Sequence, residues 1–196
     1  MRDQKRHEGV EPTDHVVVHD DRRVHEGKLL KIDRADVELP GGARTILESI
    51  RHPGAAAALP FVDDDHVLLV RQYRHAMGGY ILEAPAGKLD DGEPPIVCAR
   101  REVQEEVGHL AQKLEPLGTI FTTPGFTDEV IWLYEAHDLI EKGLDHEEDE
   151  VIEVQTWSFE EAVLAVQDGR IRDGKTVAVI LHAALRRRVA TEARPE

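Results

Sequence analysis

A single amphipathic helix set among short β-branched runs constrains the fold of this chain more than any other feature. Pro94 and Pro95 suit its first turn, where no backbone N–H is needed, and Gly108 suits its C-terminal cap. Between them Ile96, Ala99, Val103 and Val107 recur at helical spacing and predict its apolar stripe. Upstream, "HVVVHDDRRVHEGKLLKIDRADVEL" to "RTILESIRH" reads as short strands joined by turns, with "PGGA" (Pro40 to Ala43) a breaker. "GAAAALPFV" and "HVLLVRQYR" read as strands around a hairpin-like turn, Asp63 to Asp65, and "GYILEAPAG" as one strand ended by Pro85 and Gly87. Downstream, "LEPLGTIFTTPGF" and "DEVIWLYEAHDL" predict strands flanking a loop centred on Pro124 and Gly125. "LDHEEDEVIEVQTWS" runs from an acidic loop into a strand, and "SFEEAVLAVQDG" and "DGKTVAVILHAALRRRVA" predict two closing helices. Strands, one helix, more strands, then helices is the order of an α+β domain with a mixed β-sheet.

The charge balance narrows the function. A formal net charge of −15 opposes binding to nucleic acid or to an anionic membrane surface, since both are polyanions. A small anionic substrate remains compatible if a metal supplies positive charge locally. Cys98 is the only cysteine, so no intrachain disulfide forms and a reducing compartment is expected. It reads as a small buried core residue rather than a nucleophile. The first residues are too polar for a signal peptide, and no apolar run approaches a membrane span, so a cytoplasmic location is expected.

Within the helix, "REVQEEVG" (Arg101 to Gly108) places Glu102 three and four residues from Glu105 and Glu106, on neighbouring turns of one face. Like charges so placed destabilise a helix by roughly 0.2–0.5 kcal/mol per pair. Hydration, a basic partner or a bound cation must compensate.

The wider stretch "GKLDDGEPPIVCARREVQEEVGH" answers which. Gly87, Glu93, Arg101-Glu102, Val103, Glu105-Glu106 and Gly108 stand at the spacings of the Nudix box, and the stretch resembles the signature of the Nudix hydrolases at each fixed polar and glycine position. His109, where that family has an aliphatic residue, is the one departure, at a position that packs rather than reacts. The resemblance implies a Nudix fold, an α/β/α sandwich over residues 51–196. Before it would come a flexible tail at 1–14 and an antiparallel β element at 15–50 that builds a homodimer. It also implies that Glu102, Glu105, Glu106 and the Ala86 carbonyl bind Mg²⁺ (with Mn²⁺ able to substitute), that Arg101 orients a catalytic glutamate, and that Glu93 supports the loop. Hard Mg²⁺ favours such carboxylate and carbonyl oxygens and often shares its site with substrate phosphates.

"TTPGFTDE", with Pro124 sixteen residues after Gly108, "RQYR" (Arg71 to Arg74), "LEAPAGKLDDGE" and "RHPGAAAALP" resemble the ADP-ribose pyrophosphatase subfamily. By that resemblance Arg74, and less directly Arg51, contact substrate phosphate or ribose, while Phe126, Thr127 and Glu129 border the terminal ribose. The catalytic base would come from the acidic loop "DHEEDEVIEV", with Glu148 the first choice and Glu150 the second, Glu106 acting beside them from the box. The implied reaction hydrolyses the diphosphate of ADP-ribose to AMP and ribose 5-phosphate. Another nucleoside diphosphate sugar such as GDP-mannose, or a nucleotide sensor without turnover, is the alternative.

Other motifs carry less. "GRIRDGKT" (Gly169 to Thr176) matches the P-loop pattern, but a helix-patterned segment precedes it where a P-loop needs a strand, so a helix–turn–helix connection is expected. The eleven histidines show no zinc-site spacing, and His15, His19 and His25 are expected to be exposed.

Overall fold

The computed structural model describes residues 9–11, 15–143 and 152–192. Its first strands, β1 (Val17–Glu26), β2 (Lys31–Glu38) and β3 (Arg44–Arg51), form an antiparallel meander in that order. The "PGG" breaker makes the second turn: Leu39 N–H donates to the Ala43 carbonyl, and Gly41 and Gly42 both take positive φ, a conformation that only glycine adopts without strain. Asp33 lies buried between two arginines, accepting from Arg23 Nε and, at 2.9 Å, from Arg51 Nε. The segment Thr123–Glu129 belongs to this unit, which otherwise comprises Met1–His52. Ile50 N–H donates to the Phe126 carbonyl, and the Ile50 carbonyl accepts from Asp128 N–H.

The second unit, Pro53–Thr122 with Val130–Glu196, is layered around β4 (Ala55–Pro60), every residue of which is buried. Small side chains on both faces of the strand let helices approach from either side. With β7 (Ala86–Lys88), β8 (His109–Phe121) and β9 (Val130–Glu141), β4 makes a sheet of order β7-β4-β9-β8, in which β4 and β9 run parallel and the other pairs antiparallel. A second sheet has the order β10-β5-β6, from β5 (His66–Arg74), β6 (Gly79–Glu83) and β10 (Ile152–Ser158). Strand alternation then divides the core. Ala56, Ala58, Leu68 and Val70 meet α1 (Pro95–Val107) through Cys98, Ala99, Val103 and Val107. Ala55, Ala57, Leu59, Val67 and Leu69 meet α2 (Phe159–Asp168) and α3 (Gly174–Glu192) through Ala162, Ala165, Val179, Ile180 and Ala183. Helices on both faces of a mixed sheet make the α/β/α sandwich expected from the sequence. No helix among the described residues is long and apolar enough to cross a membrane.

Three local expectations need correction. "GYILEAPAG" is not one strand: β6 pairs with β5 and β7 with β4, in different sheets. Between them Pro85 has no N–H to continue a ladder, and its carbonyl instead accepts from Ala58 N–H at 3.0 Å. Asp63 does cap a turn, accepting from the Asp65 and His66 N–H groups at 2.8 and 2.7 Å. The strands on either side nevertheless enter separate sheets, joined only by the Phe61–Val67 bridge among the described residues. In α1 the apolar stripe includes Cys98 and leaves Ile96 38% exposed, because the loop carbonyls of Gly87 and Lys88 lie against the Cys98 face.

Candidate active site

Helix α1 starts where its sequence dictates. Pro94 is its extended N-cap, Pro95 its first residue, and Gly108 closes it in the left-handed region, donating its N–H to the Gln104 carbonyl. The fully buried Cys98, Ala99 and Val103 seat one face on the sheet. That seating carries Glu102 and Glu106, at 9% and 5% exposure, to the edge of the core, while the Glu105 side chain stays 37% exposed. Glu106 Oε2 accepts the Ala86 N–H at 3.1 Å, tying the helix to β7. Glu102 lies over Gly87 so closely that a Cβ there would stand 1.7 Å from its Oε1. The glycine of the motif is therefore the space that this carboxylate occupies.

Arg101 organises the acids. Its Nη1 donates to Glu102 Oε1 at 2.6 Å and to Glu105 Oε2 at 3.0 Å. Its Nε and Nη2 form a fork on Glu93 at 3.1 and 3.0 Å, and Nη2 also reaches the Lys88 carbonyl at 3.2 Å. The repulsion posed by the sequence is thus relieved first by an internal cation. The fork with Glu93 holds the guanidinium's pKa above its ordinary value, and the Glu93 carboxyl falls below the usual range for the same reason. One guanidinium serves three carboxylates, Glu93, Glu102 and Glu105, and Glu106 adds a fourth acid on the same helix, so the cluster keeps an excess of negative charge. Hard oxygen donors with surplus charge around a Cβ-free cradle fit a divalent cation such as Mg²⁺.

Two neighbours behave as expected. Cys98 is buried, and burial pushes its thiol up to about 12, far from a thiolate at neutral pH. His109, the departure from the motif, turns Nδ1 back to the Val107 carbonyl at 2.6 Å and serves the helix end.

Arg74, at the end of β5, points into an ionic group that the sequence did not reveal. Its Nε and Nη2 donate to Glu83 Oε1 and Oε2 at 2.7 and 2.9 Å, and Glu83 is 2% exposed. Lys175 donates to Glu83 Oε2 and, at 2.9 Å, to Asp173 Oδ2. The nearby Glu106 charge adds to the rise in the Arg74 pKa that Glu83 mainly causes. The only signal in the sequence was a charged residue inside the apolar run "GYILEA", which a buried strand tolerates only with a counter-charge.

The remaining sequence-predicted residues divide as follows. In the first unit Arg51 forms ion pairs with Asp33 at 2.9 Å and Asp128 at 3.4 Å. Phe126 is 53% exposed, Thr127 Oγ1 accepts from Glu129 N–H at 3.2 Å, and Glu129 lies 3.5 Å from His52 Nδ1. Glu148 and Glu150 lie outside the described residues. "GRIRDGKT" is the connection from α2 to α3, with Gly169 as a left-handed cap, and not a P-loop. His15, His19 and His25 are exposed. A second acidic group, unseen in the sequence, joins β8 to β9: Glu115, Glu135 and His137 bring ligand-type atoms within 4.8 Å of one another. Arg186 bonds both carboxylates and Lys113 pairs with Glu115, so cations already neutralise this group.

Comparison with known proteins identifies the family. The NUDIX domain family model matches residues 51–180. The chain belongs to the NUDIX family. As a Nudix hydrolase it is 39% identical over 167 residues to the methanol dehydrogenase activator of Bacillus methanolicus, covering 83% of this chain and 89% of that one. It is 36% identical over 166 residues to the ADP-ribose pyrophosphatase of Bacillus subtilis, covering 84% and 90%. It is 37% identical over 164 residues to the GDP-mannose pyrophosphatase of Cronobacter sakazakii, covering 79% and 84%. A crystal structure of an ADP compounds hydrolase superposes with a TM-score of 0.81 over 95% of this chain and all of that chain, at 24% identity, and supports the fold.

Proposed function

We propose that this Nudix hydrolase cleaves the diphosphate of ADP-ribose, giving AMP and ribose 5-phosphate, with Mg²⁺ as cofactor. The observation that carries this reading is the single guanidinium of Arg101 shared by the three carboxylates of Glu93, Glu102 and Glu105, with Glu106 held beside them by the Ala86 N–H. Glu102, Glu105 and Glu106, with the Ala86 carbonyl, would hold the metal. Held there, Mg²⁺ would supply Lewis acidity to the phosphoryl oxygens and make water more acidic. Arg101 keeps Glu102 and Glu105 in place through its bonds to both. Glu106 is oriented by the Ala86 N–H, which fixes one carboxylate oxygen. Arg74, held by Glu83 through Nε and Nη2, has its remaining N–H donors to offer a phosphate, and Glu148 or Glu150 would take the proton from the attacking water.

ADP-ribose is favoured over GDP-mannose by the motifs around Pro124 and Arg74. The similar identity to pyrophosphatases of both kinds keeps the second substrate in the test. Intact carboxylates oppose a sensor without turnover, which has no use for a charged metal cradle. A phosphatase-coupled assay across nucleotide sugars decides the matter. Mg²⁺-dependent phosphate release highest with ADP-ribose is expected; highest release with GDP-mannose, or none with any substrate, overturns the assignment.

The proposal includes a homodimer. It rests on the resemblance to the subfamily, whose N-terminal strands build a dimer; Val17, Val24, Ile46 and Leu47 of the β1–β3 meander are 44–50% exposed. Sedimentation at micromolar concentration should give twice the chain mass of 22.0 kDa; the mass of one chain refutes it.

A further inference from the structure

Glu83 is almost wholly buried yet carries two cations, and its geometry gives the stretch "DGKT" a task. Its oxygens take Arg74 Nε and Nη2 in a fork, which fixes the guanidinium plane. A guanidinium has five N–H donors; two are spent on Glu83, and the rest remain for an anion. Arg74 would serve a phosphate poorly if Glu83 bound it with a full, undivided charge. Lys175 prevents that by donating to Glu83 Oε2 as well.

Lys175 is itself held. Asp173 Oδ2 accepts from its Nζ at 2.9 Å, from Thr176 N–H at 3.0 Å and from Thr176 Oγ1 at 2.6 Å. Thr176, fully buried, accepts the Ala84 N–H at 2.8 Å, on the residue following Glu83. The first turn of α3 is thereby locked to the end of β6. Lys175 is only 14% exposed and engaged on both sides, so it acts on a substrate through Glu83 and not by direct contact.

We propose that Lys175, braced by Asp173 and Thr176, is a positioning residue for the diphosphate: it shares the charge of Glu83 so that Arg74 stays oriented and available to a phosphate. This rests on the reading of Arg74 as a phosphate ligand in the proposed reaction.

The test combines Lys175→Met, Lys175→Arg, Arg74→Ala and the double variant Arg74→Ala/Lys175→Met. ADP-ribose kinetics and ADP affinity by calorimetry, both with Mg²⁺, are read together with a thermal melt. Lys175→Met is expected to raise KM and the ADP dissociation constant about tenfold while kcat changes less than threefold. Lys175→Arg should restore most of the loss, and with Arg74 already removed Lys175→Met should cost nothing further. Unchanged ADP affinity in Lys175→Met, or the same loss with and without Arg74, overturns the inference. If Lys175→Met does not fold, Asp173→Asn enters the same cycle with the same expected and overturning results. Calorimetry keeps the two readings apart. A wild type that binds ADP but does not hydrolyse ADP-ribose refutes the substrate assignment alone. A wild type that hydrolyses ADP-ribose with affinities indifferent to Lys175 refutes only this inference.

Discussion

Alanine at position 87 perturbs the site at its point of closest approach. Gly87 has no positive φ, so the alanine backbone is unstrained and any effect comes from the added methyl. That carbon would stand 1.7 Å from Glu102 Oε1, 2.1 Å from Cδ and 2.6 Å from Oε2. To restore ordinary contact the carboxylate must retreat by roughly 1.5 Å, and a misplacement of about 1 Å in a catalytic group costs on the order of 100-fold in rate. That loss equals about 2.7 kcal/mol of activation free energy at about 1.36 kcal/mol per tenfold. The stability cost is smaller, since the obstacle is the end of a flexible side chain; an off-rotamer glutamate costs about 0.5–1.5 kcal/mol. For a domain of this size that moves Tm by about 1–6 °C. Phosphatase-coupled ADP-ribose turnover and a thermal melt, on one preparation, separate the two effects. Gly87→Ala should fold and lose about 100-fold in kcat. Turnover within threefold of wild type would refute the argument that Glu102 must occupy the space over Gly87.

Glu106→Gln should abolish turnover, by about 1000-fold or more, with Tm within about 3 °C of wild type, because a glutamine oxygen still accepts the Ala86 N–H while the ligand charge is lost; near-normal rates at saturating Mg²⁺ would contradict the metal assignment. For Glu83, burial works to raise the pKa, but the bonds and charges of Arg74 and Lys175 outweigh it and the folded-state value lies below the ordinary one. A depressed carboxylate stabilises the fold above its unfolded pKa, about 4.3, and that contribution is lost as pH falls through the folded value. Glu83→Gln should therefore cost about 2 kcal/mol at pH 7, less than a fully buried pair, because Lys175 at 14% exposure loses its anion while Arg74 at 41% is partly screened by water. The difference from wild type should shrink below about pH 4 in denaturant titrations, and a pH-independent difference would refute the sign.

Elements with a strong local signal were legible in the sequence. α1 could be read because prolines, a glycine and a 3.6-residue stripe agree on its limits; spacing puts Glu102, Glu105 and Glu106 on one face of it, while their metal-binding role is implied by the resemblance to the Nudix box. β4 and β5 could be read as strands from their apolar runs, yet not their separation into two sheets, because the partners β9 and β10 lie more than 60 residues away. The break at Pro85 was half legible: the missing N–H was visible, but the change of sheet depends on Ala58 taking the Pro85 carbonyl. Arg101 could be named from the motif, although its simultaneous hold on Glu93, Glu102 and Glu105 is a product of the folded loop. The Arg74–Glu83–Lys175 group was not legible, since residues 92 positions apart carry no local sign of their pairing.

Calorimetric titration of the protein with Mn²⁺ in the presence of ADP most directly tests whether the α1 carboxylates exist to hold a divalent cation against a diphosphate. Wild type should take up the ion, and Glu102→Gln, Glu105→Gln and Glu106→Gln together should remove that uptake while the fold survives. No uptake by wild type, or equal uptake by the triple variant, would contradict the account.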